Sequence, residues 1–145
     1  MTLDDDLLAA NRLVFLHKHG VSARTRFLRF ADGGICGFTP LPRDATLAPR
    51  ADRAVELLPT ALLAAAARRL GIAASGLALE ADFAVDAFVG GDRVQVHLAR
   101  FTDRDPPFDL AERIGARFID LSAARGMYPA SLALMRDAYE VVIGG

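Results

Sequence analysis

Arg68 and Arg69 close an alanine-rich apolar stretch, and two adjacent guanidiniums can hold a phosphate or carboxylate through paired N–H donors. The same cations in the last turn of a helix also complement its dipole, which is their ordinary use. Cys36 and His97 lie in separate apolar segments. A thiolate beside an imidazole is a nucleophile arrangement, whereas a cysteine among apolar residues ordinarily serves as a small core side chain. His17 and His19 stand two apart near the end of a predicted helix, where a metal pair needs i, i+4 spacing, so no metal is expected there. Glu80, Asp82, Asp86, Asp103, Asp105, Asp109 and Glu112 fall around predicted strand ends and loops. Asp especially serves as a cap and turn former in such places, and several of these carboxylates converging on one metal is the enzymatic alternative. Phe108, beside two prolines, is displayed rigidly for packing a loop down or meeting a partner.

The elements that must position these groups follow from periodicity and punctuation. Residues 4–19 read as a helix: Asp4, Asp5 and Asp6 complement its start, Leu7, Leu8, Val14 and Phe15 share a face, and Lys18 and His19 precede Gly20. From Arg24 to Phe38 the pattern is extended and broken at Asp32, Gly33 and Gly34, which predicts a β-hairpin. The proline-rich segment 40–53 is expected to be a surface loop. Pro59 suits a first helical turn, Leu62, Leu63, Ala66 and Leu70 form a stripe, and Gly71 ends the helix. Two alternating segments around Gly90 and Gly91 predict a second hairpin. A short helix near Asp109, a strand at RFIDL and a helix over 129–143 complete the chain.

This order, together with ELLPTALLAAAARRLGI at 56–72, resembles the Nudix hydrolase superfamily, whose signature is G, five residues, E, seven residues, then R-E-U-x-E-E-x-G-U with U aliphatic. Gly71 and Ile72 fit its closing pair, and Glu56 falls on its first glutamate. Arg50 stands for the first glycine, Ala64 for the arginine, and Ala65, Arg68 and Arg69 for the three helical glutamates. Glutamates at those positions would share one helix face and hold the divalent ion that activates water. Two guanidiniums there repel a cation and Ala65 offers no ligand atom, so Glu56 alone makes no hydrolytic site. The downstream segments VQVHLARF and DPPFDLAERIGARFIDLSAARGM extend the resemblance over about residues 24–125.

The resemblance implies an α/β or α+β fold with a Nudix-like mixed β-sheet flanked by helices and an added N-terminal helix. It implies a scaffold kept without its chemistry: a non-catalytic binding or accessory protein, with Glu56, Arg68 and Arg69 as ligand-binding candidates. No catalytic residue, metal or cofactor is assigned. The alternatives are a metal-dependent hydrolase of nucleoside-diphosphate-linked substrates with relocated acidic ligands, and an oligomeric subunit whose first and last helices form a homodimer face.

Composition narrows the partners. At 145 residues with 52% hydrophobic content the chain suits one domain with a substantial core. A net charge of -1 with no charged tail argues against nucleic acid. The expected partner is a small anionic ligand or another protein. Cys36 is the sole cysteine, which excludes an intrachain disulfide, and the acidic, interrupted N-terminus signals neither export nor membrane insertion, so a cytoplasmic location is expected.

Overall fold

The computed structural model describes residues 2–50 and 59–144. They form a mixed α+β fold with an eight-stranded sheet. The elements run α1 (Leu3–Ala10), β1 (Asn11–Lys18), β2 (Thr25–Arg29), β3 (Cys36–Gly37), β4 (Thr46–Pro49), α2 (Pro59–Leu70), β5 (Leu77–Leu79), β6 (Val85–Val89), β7 (Asp92–Phe101), α3 (Phe108–Arg113), β8 (Arg117–Ile119) and α4 (Pro129–Gly144).

The predicted helix over 4–19 is corrected: its first part is α1 and its second is the strand β1. Thr2 and Asp5 close a capping box, each side chain accepting the other's backbone N–H, which satisfies donors the first turn leaves open. At Asn11 the chain becomes extended, and NRLVFLH runs buried on both sides. A strand covered on both faces carries no polar alternation, so its apolar run is indistinguishable from a helix stripe by spacing.

β1 is the centre of the sheet. Along one edge it pairs in parallel with β7 from Asn11↔Gln95 to Leu16↔Arg100. Along the other edge it is shared, with β3 antiparallel at Leu13 and Val14 and β2 antiparallel from Leu16 to Lys18. The predicted hairpin over 24–38 is therefore also corrected. A tight turn does form at Asp32–Gly34, closed by hydrogen bonds from Phe30 N–H to Gly34 O (2.9 Å) and from Gly33 N–H to Phe30 O (2.8 Å). The two arms, however, pair with β1 and not with each other. Within the predicted proline-rich loop, residues 46–49 instead form β4, paired with β6, while 51–53 lie outside the described residues. The hairpin of β6 and β7 at Gly90–Gly91, the helix 59–70, the short helix near Asp109 and the last helix are as the sequence indicates.

Alternation along the strands divides the core in two. Leu13, Phe15, Leu28, Ala99 and Phe101 pack with Leu62, Ala65, Ala66 and Leu70 of α2 and Leu110 of α3. Val14, Leu16, Phe27, Val96 and Leu98 pack with Leu134, Met135 and Ala138 of α4 on the opposite face. Helices α1 and α4 thus cover opposite faces of the sheet. No helix among the described residues is long and apolar enough to cross a membrane.

Gly37, registered with Leu13 on β1, lies close against the Phe30 ring. A Cβ built there would overlap the ring of Phe30, which itself packs edge-on against Phe15 and Phe38 at 6.1 and 6.0 Å. Replacing Gly37 with Ala forces that cluster to shift and is expected to destabilise the protein by about 1–3 kcal/mol, read as a lower urea midpoint with unchanged slope.

Candidate functional site

The period-two rule places a row of polar side chains across the α2 side of the sheet. Asn11 on β1 is registered with Gln95 on β7, and Gln95 with Asp86 on β6. His97, two residues beyond Gln95, shares their face. Buried polar groups are the informative exceptions in an apolar interior. Here Asp86 is only 1% exposed and His97 8%.

Above this row lies a cavity of about 540 Å³. Pro59 and Leu63 of α2, Leu77 and Leu79 of β5 and Phe83 make its apolar wall, and Arg50, Gln95, His97 and Glu80 supply the polar groups. Arg50 directly follows β4 and is fixed by a bond from its Nη2 to Val96 O (2.8 Å). Its Nε stands 3.9 Å from Asp86 Oδ1, while Arg93 Nε donates to Asp86 Oδ2 at 2.6 Å. Two guanidiniums therefore flank one buried carboxylate, and Arg50 is the cation among the cavity's described lining residues. Glu80, at the rim, lies 3.3 Å from Arg100.

The hydrogen bonds fix the state of His97. Asn11 donates its Nδ2 to Leu7 O (3.1 Å), so its Oδ1 is an acceptor, and it meets His97 Nε2 at 3.1 Å. Nε2 must then carry the proton, and in a neutral ring Nδ1 is left with a lone pair. Burial chiefly, then the Arg50 cation, push the imidazole down to about 4, with Asp86 opposing. The ring is neutral at pH 7. The cavity is therefore lined by a neutral imidazole, an amide, a cation and apolar walls, a set suited to orienting a bound molecule.

The sequence candidates lie elsewhere. Arg68 Nε and Nη2 donate to the two Asp4 oxygens at 2.7 and 2.8 Å, and Arg69 pairs with Asp5. Both arginines thus fasten α2 to α1 outside the cavity, and Arg69 also lies over the Phe38 ring at 5.3 Å. The bond from Arg68 lowers the Asp4 pKa and raises that of Arg68. Glu56 lies outside the described residues. Ala65 is fully buried against the sheet.

Cys36 and His97 are not brought together. Cys36 is registered with Val14 on the α4 side, whereas His97, registered with Leu13, faces α2. Burial pushes the Cys36 thiol up to about 12. His17 and His19 do not form a solvated helix end: His17 is fully buried with Nε2 2.8 Å from Asp103 O, and His19 Nδ1 accepts from the N–H groups of Val21 and Ser22. Among the described residues no three His, Cys, Asp or Glu side chains converge as a metal site. Phe108 packs edge-on against Phe118 at 5.6 Å.

Sequence spacing alone does not reveal the polar row, because Asn11 falls within the predicted helix 4–19 and His97 sits among the apolar residues of a strand. The available signal was the polar spacing Gln95–His97 within VQVHL, opposite Asp86 across the Gly90–Gly91 turn. No protein-family model matches the chain, and no curated protein matches it.

A neutral buried imidazole has a consequence for stability. In the unfolded chain His97 titrates near the ordinary value of 6.5, so below that pH the unfolded state binds the extra proton and stability falls toward the folded value of about 4. Between pH 7 and pH 5 the protein is expected to lose ~2 kcal/mol through this residue alone. Urea unfolding at both pH values should show a smaller loss in His97→Gln, which keeps a donor for Asn11 but does not titrate.

Proposed function

We propose that the chain is a non-catalytic binding protein on a Nudix-like scaffold, which holds a small anionic molecule with an apolar portion in the α2-side cavity. The observation that carries this reading is the pairing of an apolar wall, Leu63, Leu77, Leu79 and Phe83, with the fixed polar set Arg50, Gln95 and His97. The apolar portion of the ligand loses water against the wall, and its charged group meets the positive charge of Arg50. A donor on the ligand is accepted by Nδ1 of neutral His97.

Two further observations favour binding without hydrolysis. The helix positions that would carry metal-binding glutamates in the Nudix signature hold a buried alanine and two arginines committed to Asp4 and Asp5. His97, held near 4, is too weak a base at neutral pH to be a matched general base.

A thermal-shift series with nucleotides, dinucleotides and sugar nucleotides, each with and without magnesium, tests the proposal. A ligand at a hundred times its dissociation constant stabilises by about 2.7 kcal/mol, which is readily measured. Metal-independent stabilisation of the wild type that disappears in Leu63→Trp, whose indole fills the cavity, is expected. Stabilisation only with magnesium, or equal stabilisation of Leu63→Trp, contradicts it.

A further inference from the structure

A second cavity lies on the opposite side of the sheet, against the start of α4. It measures about 590 Å³ and is lined by Arg29, Asp32, Arg43, Gly126, Tyr128 and Ser131, among others. Its position follows from the same alternation: Arg29 is two residues beyond Phe27, and Phe27 belongs to the α4-side core. We propose that this cavity is a binding site for a small organic phosphate, separate from the α2-side cavity.

Four features support that assignment. Arg29 is held in place by a bond from its Nε to Gly33 O (2.9 Å), and it has no carboxylate partner among the described residues. Arg43 lies over the Tyr128 ring at 5.5 Å and likewise has no carboxylate partner among the described residues. Ser131, only 5% exposed as a residue, lines the cavity and makes no side-chain hydrogen bond among the described residues. Ser131 also sits in the first turn of the 16-residue α4, whose leading N–H groups favour an anion. Asp32 is the one carboxylate in the lining, and its Oδ1 is engaged by the Gly34 N–H at 2.7 Å.

The walls are fixed before any ligand arrives. Arg12, buried beneath them, donates from Nη1 to the carbonyls of Thr39 (3.2 Å) and Pro40 (3.3 Å), anchoring the segment that carries Arg43. A bare phosphate would leave most of the volume empty. Leu41, Met127 and the proline rings Pro40 and Pro42 supply apolar surface for an organic portion.

Calorimetric titration with phenyl phosphate and with inorganic phosphate, in low-salt chloride buffer, tests the site. Phenyl phosphate is expected to bind more tightly than inorganic phosphate. Arg29→Met combined with Arg43→Met should weaken it at least about tenfold, because the charge-assisted bonds are lost. Ser131→Ala should weaken it by a smaller factor with the fold intact. Leu63→Trp, which closes the other cavity, and Arg68→Met should leave the affinity unchanged. Absence of binding, binding unaltered by the Arg29 and Arg43 substitutions, or binding lost in Leu63→Trp would each overturn the proposal, and only the last would transfer the phosphate to the α2-side cavity.

Discussion

The parallel pairing of β1 with β7 is the constraint on which the rest of the molecule depends. Six registered pairs, Asn11↔Gln95 to Leu16↔Arg100, bring together segments more than eighty residues apart in the chain. Parallel neighbours cannot be joined by a tight turn, and the intervening chain supplies α2, β5 and β6 on the way. Shifting that register by one residue would turn Leu13 and Phe15 away from α2 and Val14 and Leu16 away from α4, emptying both cores at once. The same register sets His97 beside Asn11 and fixes which nitrogen carries its proton. Core and candidate site are therefore specified by one set of backbone bonds.

The two cavities use this sheet differently. On the α2 side the polar groups stand on adjacent strands and are largely committed to each other: Asp86 to Arg93, Arg50 to Val96 O, Asn11 to Leu7 O and His97. Such a network is stiff, because each member loses a partner if another moves. On the α4 side the groups come from a strand, a turn and a helix start, and Arg29 and Arg43 have no carboxylate partner among the described residues. The first arrangement suits orientation of a partly apolar molecule, and the second suits capture of charge.

Much of the fold was legible in the sequence wherever local signals agreed with tertiary context. Pro59 and Gly71 bracket α2, Gly90 and Gly91 turn β6 into β7, and Pro129 begins α4. The reading failed where burial removed the signal. β1 is covered on both faces and so carried no alternation, and its neighbours β2 and β3 looked like a hairpin because the turn at Asp32–Gly34 is real while their partner is β1. The site was less legible than the fold. Arg68 and Arg69 stood out by adjacency, yet their carboxylate partners Asp4 and Asp5 are some sixty residues earlier and come into reach only when α1 packs on α2. His97 acquires its character from Asn11, Arg50 and Asp86, which no spacing rule connects.

The proposed binding role depends on a neutral His97 whose Nδ1 accepts from the ligand in the α2-side cavity. The most direct test is the nitrogen NMR spectrum of the protein labelled in its histidine rings, recorded at pH 7 and then during titration with whichever compound gives the largest thermal shift. The account predicts a neutral His97 protonated at Nε2, with an Nδ1 resonance that moves saturably as the compound binds. A charged ring at pH 7, a proton on Nδ1, or an Nδ1 signal indifferent to a compound that stabilises the protein would contradict it.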